Sequence, residues 1–230
     1  MTELVSSGVL IATLMVILIY LLSLWGFKRS GYFPLAHPLA IGSLILAGFI
    51  VLAYGNYAEF RQDSWLFYWL LGPATVALAL PLYHERHKIR DAAVPILSSI
   101  ALGALISPGI ALTVAWLSGG EAILDSIATK SVTTPIALGI SEKTGGLPGL
   151  VAGVVIFTGV VGAISGPAII RALGIRDERI LGLVLGVNAH GVGTASAFQI
   201  SPRCGAFASL AMGITGTLTA LVLPMIDRLL

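Results

Sequence analysis

The stretch LVSSGVLIATLMVILIYLLSLWGF, residues 4–27, decides the class of fold. It carries no charged residue, and as a helix its length would be about 36 Å at 1.5 Å per residue. That length spans a hydrocarbon layer of about 30 Å and exceeds the apolar core of a signal peptide. We therefore predict a first transmembrane helix that is retained.

Five further apolar stretches are long enough to span a membrane. They cover residues 38–54, 64–83, 92–117, 148–170 and 205–226. Only 10% of the 230 residues are charged and 57% are hydrophobic, whereas soluble domains carry about 25% charged residues. We predict an all-α integral membrane protein, a single polytopic domain over residues 1–230 with about six spanning helices. The net charge of +2 does not indicate nucleic-acid binding, and the single cysteine, Cys204, excludes an intrachain disulfide.

Two other segments are apolar but interrupted near the middle by small and polar residues. They are residues 121–146, broken at 129–134, and residues 179–203, broken at 188–193. Backbone outside a helix is tolerated at membrane depth only where protein or a water-filled cavity satisfies its polar groups. These segments predict two broken or re-entrant helical segments, each with a polar tip.

The positions of Lys and Arg predict the orientation of the chain. Basic links at residues 28–29 and 86–90 fall on one side if the spans alternate, which makes that side cytoplasmic and puts the N-terminus outside. The basic residues between 171 and 179 reach the same side only if segment 121–146 enters the membrane and returns. The charge distribution therefore favours a re-entrant segment, and a broken helix that crosses the membrane is the alternative.

The two interrupted segments belong to a predicted internal repeat with units of approximately residues 92–147 and 148–205. A shift of 58 residues places Lys130-Ser-Val-Thr-Thr-Pro-Ile-Ala137 on Asn188-Ala-His-Gly-Val-Gly-Thr-Ala195. Few residues are identical, but the sequence of each unit predicts the same order of elements: a long span, a half-helix, a polar break and a second half-helix. Chance similarity between apolar stretches is the alternative. With re-entrant segments, the units form an inverted repeat like those of many secondary transporters.

The two breaks together predict a small anion-binding pocket. Hydroxyl groups follow Thr129 in the first break, and glycines in the second permit close backbone approach. Half-helices beginning near Pro135 and Thr194 would direct their N-termini at the breaks, and helix N-termini attract anions. The predicted binding residues are Lys130, Ser131, Thr133, Thr134, Asn188, His190, Gly191, Gly193 and Thr194, with Pro135 as the structural break.

Lys130 is the most informative of these residues. A lysine at the bilayer centre costs about 2.5–3.5 kcal/mol on insertion scales, so it requires a counter-charge, a hydrated cavity or an anionic ligand. We interpret it as a carboxylate-binding cation; an ion pair with Asp125 and a lysine that reaches the interface are the alternatives. His190 could bind substrate or take up a proton, and a packing role is its alternative.

Nothing in the sequence favours an enzyme, a cofactor or a metal. Neither Gly-x-Ser-x-Gly nor His-Glu-x-x-His occurs. A dyad of Ser131 and His190 would lack an orienting acid. His84 and His87 have suitable spacing for a metal but no third ligand.

The two breaks resemble the signature segments of the LrgB/CidB family, which includes YohK-like proteins. Ala79-Leu-Pro-Leu-Tyr83 and Gly205-Ala-Phe-Ala-Ser-Leu-Ala211 support the resemblance, which runs from about Phe33 onward. Family members often have an acidic residue immediately before the Gly-Ala-Phe segment, where this chain has Cys204. Coupling of transport to protons or cations through that acid is therefore not expected here.

The resemblance implies a multi-pass protein of the bacterial cytoplasmic membrane, with two expected functions. The leading hypothesis is a secondary carrier for small monocarboxylates such as glycolate, glycerate or pyruvate. The alternative is an antiholin-like modulator of murein hydrolase export and autolysis that acts with a small LrgA/CidA-type membrane protein. The expected partners are thus a small carboxylate anion, that membrane protein and the lipid bilayer. A homo-oligomer is also compatible with the sequence.

Overall fold

A computed structural model describes residues 6–31, 33, 36–118 and 121–227 of the chain. A few side chains inside these ranges, including those of Glu121 and Asp125, lie outside the description. The described residues form helices and no strand, so the predicted all-α class is confirmed. They divide into two compact units, residues 1–79 and 80–230.

The first unit is built around its N-terminal helix. Its helices are α1 (Ser7–Arg29), α2 (Pro38–Phe49), a π-helical turn (Ile50–Tyr54), α3 (Tyr57–Asp63) and α4 (Trp65–Ala77). Ser6 caps α1, since its Oγ accepts a hydrogen bond from the Val9 N–H at 3.2 Å. Gly42 lets α2 approach α1 closely, because a Cβ built there would lie 3.3 Å from the Ser23 Oγ.

The second unit contains both interrupted segments. Its helices are α5 (Ala79–His84, which begins in the first unit), α6 (Arg86–Asp91), α7 (Ala93–Ser118), α8 (Glu121–Ala128), α9 (Thr134–Thr144), α10 (Pro148–Ala172), α11 (Glu178–Ile200) and α12 (Pro202–Asp227). Local sequence explains the ends of α9. Pro135 lies in its first turn, and Gly145 ends it with a φ of 86°, a conformation that glycine adopts without a steric penalty.

Within the described residues, six helices are long and apolar enough to cross a membrane. They are Ser7–Arg29, Trp65–His84, Ala93–Val114, Pro148–Ala172, Glu178–Ile200 and Pro202–Met225. The predicted span 38–54 is not among these six. It passes the same test only together with Tyr57–Asp63, which follows after a bend of 106°.

Helix α11 satisfies the length criterion, yet it turns back on itself at His190. The backbone there has φ 39° and ψ −126°, outside the helical region. As a result, Ser201 Oγ donates a hydrogen bond to Glu178 Oε2 over 2.7 Å. A straight helix of 23 residues would hold its two ends about 34 Å apart. We call residues 178–200 the second hairpin, with arms 178–189 and 191–200.

The second break is shorter than predicted. We expected non-helical backbone over 188–193 and a new half-helix near Thr194, whereas the structure confines the break to His190 and resumes the helix at Gly191. One residue suffices because Gly193 lies directly against the Leu185 carbonyl of the other arm. A side chain at position 193 would overlap that oxygen and force the arms apart.

Helices α8 and α9 form the first hairpin, residues 121–144. At its tip, the N–H groups of Lys130 and Val132 donate to the carbonyls of Ile127 and Thr129 at 3.0 and 3.3 Å. Beside the tip, Ala128 and Ile140 belong to one apolar cluster. Beyond α9, the Leu147 N–H donates to Ser126 Oγ at 2.8 Å, so the chain returns to α8.

The basic links on either side of the first hairpin lie at the same end of the second unit. Lys88 and Arg176 line one cavity, although α7, the first hairpin and α10 all separate them in the chain. A crossing first segment would send the two links to opposite ends. The structure therefore supports the re-entrant form, with the second hairpin entering from the opposite end to the first.

Long helices of the second unit hold the hairpins in place. The first hairpin packs on α10 through Val132, Ala137, Val151 and Val155. The second hairpin packs on α12, where Gly182 and Gly186 lie against the backbone of Cys204 and Ala208. Close approach through small residues is how helices associate in lipid, because burying apolar side chains there gains little.

Candidate functional site at the hairpin tips

The tip of the first hairpin presents a lysine bound by two serine hydroxyls. Lys130 Nζ donates to Ser107 Oγ at 2.6 Å and to Ser131 Oγ at 3.2 Å. The two hydroxyl oxygens are themselves 2.7 Å apart. Ser131 is buried, whereas Lys130 and Ser107 are half-buried. Because Ser107 belongs to α7, this cluster joins the hairpin tip to a long helix.

The Lys130 ammonium has neutral neighbours in the described part of the chain. No described carboxylate lies within 4.0 Å of its Nζ, and the alternative partner Asp125 has a side chain outside the description. Serine hydroxyls solvate a cation but do not neutralise it. A half-buried cation in such surroundings favours water or an anion as a further neighbour.

The remaining polar residues of the first tip surround the start of α9. Thr133 occupies the capping position but its side chain makes no capping hydrogen bond. Thr134 is half-buried in the first turn, and Pro135 next to it is exposed. The first N–H groups of a helix have no partner within it, so this terminus adds donors to the tip.

His190 anchors the second tip to α10. The residue is only 4% exposed, and Nε2 lies 3.0 Å from the Val155 carbonyl oxygen. Since a carbonyl only accepts, the proton of this bond resides on Nε2. Gly159, one turn along α10, makes room for the ring, because a Cβ there would lie 2.8 Å from His190 Cε1. This geometry shows a packing and anchoring contact for His190, and its predicted role in binding substrate stays a prediction.

The two tips adjoin each other. A Cβ built on Gly191 would lie 4.0 Å from Thr133 Cγ2. Val155 also links the tips, since Val132 of the first hairpin packs in the same cluster as Val155 and His190 binds its carbonyl.

Two other predicted residues of the second hairpin form hydrogen bonds with residues outside the two tips. Thr194 Oγ1 lies 3.6 Å from Met212 Sδ on α12. Asn188 is exposed, and its Nδ2 donates to the Val184 carbonyl of its own arm at 3.0 Å. Gly193 serves the contact between the arms. The structure thus brings Thr133 beside Gly191, while Lys130 and Ser131 contact Ser107 and His190 contacts Val155. No described hydrogen bond joins Asn188 or Thr194 to the first tip.

Ser107 is the residue that the sequence did not single out. It lies in Leu105-Ile-Ser-Pro-Gly109, which the shift of 58 residues places on Ala163-Ile-Ser-Gly-Pro167. A polar residue retained at the same place in both units was the available signal. In addition, the described residues contain no group of three or more His, Cys, Asp or Glu side chains that could hold a metal ion.

Comparison with known proteins places the chain in a family. Residues 16–229 match the LrgB-like family. The uncharacterized protein YwbG of Bacillus subtilis (strain 168) is 34% identical over 220 residues, which cover 94% of this chain and 96% of the relative. The antiholin-like protein LrgB of Bacillus mycoides (strain KBAB4) is 32% identical over 202 residues, or 86% of this chain and 87% of the relative. No solved structure matches. The signature segments, the coverage and the identity together establish that this multi-pass membrane protein belongs to the LrgB-like family.

Proposed function

We propose that the protein is a secondary carrier for small monocarboxylates and binds them where the two hairpin tips meet. The observation that carries this proposal is the Lys130 ammonium, held at a re-entrant tip by the hydroxyls of Ser107 and Ser131.

The chemistry of this cluster suits a carboxylate. Hydrogen bonds between an ammonium and a carboxylate are roughly twice as strong as bonds between neutral groups. Serine hydroxyls rotate, so Ser107 or Ser131 can turn a proton toward an incoming oxygen. A carboxylate would therefore gain the ammonium and a hydroxyl as donors while neutralising the charge.

The arrangement of the hairpins suits transport. They enter from opposite ends of the second unit and adjoin at Thr133 and Gly191. In carriers with inverted repeats, substrate binds at such a junction of discontinuous helices, and access alternates around it. The repeat units 92–147 and 148–205 are part of this proposal.

Uptake of labelled glycolate or pyruvate into vesicles containing the purified protein tests the proposal. Losing one charge-assisted hydrogen bond costs about 1.5–3 kcal/mol, so Lys130→Ala should weaken apparent affinity roughly 10- to 150-fold. Lys143→Ala is the matched control, because Lys143 is an exposed lysine of the same hairpin. Uptake that Lys130→Ala leaves unchanged would remove the role of this lysine. Absence of uptake for every small carboxylate, with and without an LrgA/CidA-type protein, would count against a carrier.

An antiholin-like modulator of autolysis is the second candidate. The name of the Bacillus mycoides relative supports it more directly than it supports a carrier. In this case the protein acts with an LrgA/CidA-type partner, and contacts with that partner matter more than the tips. A Lys130→Ala, His190→Ala double variant that is inserted normally and still restores normal autolysis in a deletion strain would favour this candidate. Loss of restoration would favour the carrier, whose flux can itself alter membrane energetics.

The proposed location is the bacterial cytoplasmic membrane, with the N-terminus outside. The charge distribution supports this orientation, because the basic links then face the cytoplasm.

A further inference from the structure

Two cavities adjoin at the end of the second unit where the second hairpin begins. One has a volume of about 500 Å³, and only charged residues line it: Lys88, Arg176, Asp177, Glu178, Arg179 and Arg203. The other, of about 450 Å³, shares Arg176, Asp177 and Glu178 with it. The rest of the second lining is mainly apolar, with Pro167, Ile170, Ile175, Leu181 and Ile200 beside Arg171. A charged cavity therefore adjoins a mainly apolar one.

The carboxylates around the charged cavity already have partners. Arg179 donates hydrogen bonds to Asp177 and holds the pKa of that carboxyl below its usual range, so Asp177 stays ionised and paired with Arg179. Glu178 accepts the hydroxyl of Ser201 at 2.7 Å. Near the rim, Glu85 pairs with Lys88 at 2.8 Å and is 3.4 Å from Arg203.

Cationic groups of the two cavities retain free donor capacity. Arg176 is exposed and forms none of the described ion pairs. Among the described hydrogen bonds, Arg203 uses Nε alone, in its long contact with Glu85. Arg171 donates through Nε to the Pro167 carbonyl at 2.9 Å, which leaves its terminal nitrogens available. Arginine is well suited to phosphate because its planar group can donate two parallel hydrogen bonds.

We propose that these adjoining cavities bind one anionic phospholipid, with its phosphate at Arg176 and Arg203 and an acyl chain along Ile170, Leu181 and Ile200. The shared rim at Arg176 fits the point where a lipid changes from headgroup to chain. Basic pockets between membrane helices bind anionic headgroups in this way. The end concerned is the one that the charge distribution predicts to be cytoplasmic. A lipid there would brace the base of the second hairpin against α6, α10 and α12.

Titration of the detergent-solubilised full-length protein with short-chain lipids, followed by native mass spectrometry, tests the proposal. Dioctanoyl phosphatidylglycerol should bind more tightly than dioctanoyl phosphatidylcholine, and added salt should weaken its binding because exposed charges are screened. Each basic residue near an anionic lipid contributes about 1 kcal/mol, so Arg176→Gln should weaken binding about fivefold. Arg86→Gln is the matched control. Its guanidinium lies over the Tyr83 ring, 4.2 Å from the centroid, and it does not line either cavity.

A second variant and a second probe separate a lipid site from a soluble-anion site. Ile200→Asn places a polar group in the apolar wall, so it should weaken binding of phosphatidylglycerol. Inorganic phosphate should not compete at equal concentration, because it lacks the chain. Equal affinity for the two lipids or unchanged binding in Arg176→Gln would overturn the proposal. So would displacement of bound phosphatidylglycerol by inorganic phosphate at equal concentration. Arg176→Gln and Ile200→Asn remove no described hydrogen bond. Thermal melting of each variant, compared with the unaltered protein, verifies that it is folded.

Discussion

The backbone conformation of His190 predicts that, at this position, a glycine variant is more stable than an alanine variant, the reverse of the usual order in a helix. With φ 39° and ψ −126°, it lies in a region that glycine enters freely and other residues enter at a cost of about 1–3 kcal/mol. His190→Ala and His190→Gly both lose the ring and its hydrogen bond to Val155. Their difference in stability therefore isolates the backbone conformation.

The magnitude follows from two opposing contributions. Relief of backbone strain favours glycine by about 1–3 kcal/mol, and the greater freedom of glycine in the unfolded chain favours alanine by about 0.4–1 kcal/mol. We expect His190→Gly to be more stable than His190→Ala by about 1 kcal/mol. At an ordinary helical position, alanine is the more stable by about that amount.

Ala195 provides the matched control, because it is exposed on the second arm of the same hairpin and has helical backbone. Ala195→Gly should destabilise the protein by about 1 kcal/mol. The assay is the unfolding midpoint of each purified variant, in one detergent, followed by circular dichroism as dodecyl sulfate is added. If His190→Ala proves as stable as His190→Gly while Ala195→Gly behaves normally, position 190 is not strained and the reasoning about the turn fails.

Further predictions concern α10 and the orientation of the hairpins. Gly159→Ala should destabilise the protein and impair activity, since the added Cβ would meet the imidazole, whereas Gly153→Ala should be neutral or slightly stabilising because its Cβ would meet nothing within 4 Å. Melting temperatures of both variants compare them directly, and equal losses would contradict the packing argument. With Cys204 replaced by serine, single cysteines at Lys143 and Lys88 should react with an impermeant thiol reagent from opposite sides of the membrane. Labelling from the same side would show that the first segment crosses.

The sequence predicted most of the spans and both interrupted segments, because these depend on local composition. A run of apolar residues the length of a bilayer has few alternatives to a helix, so helices such as α1 and α10 begin and end near their predicted positions. The position of the first break was also predictable, since residues 129–135 combine several hydroxyl side chains with a proline. The second break was predicted too long, because glycines suggest irregular backbone but also serve close packing within a helix.

Some residues of the candidate site were likewise predictable from the sequence, and others were not. Lys130 was identifiable because a charge in an apolar segment is costly wherever it lies. Ser107 was not identifiable, because serines are common in spanning helices. What distinguishes Ser107 is its hydrogen bond from Lys130, which lies 23 positions later in the chain. Asn188 and Thr194 were predicted at the tip from their positions in the chain; in the structure Asn188 donates to Val184 and Thr194 contacts Met212, and their role in binding stays a prediction.

By itself, the sequence determined that this is a multi-pass helical membrane protein with two interrupted segments, one of which carries a lysine at its break. These properties follow from hydrophobicity and charge, which act on each segment separately. Only the tertiary structure decided that the interrupted segments turn back, that the tips adjoin, and that Ser107 meets Lys130. It also decided that the basic links of α6, α11 and α12 meet around one cavity. Such features depend on contacts between residues far apart in the chain, and these contacts form only when the helices pack.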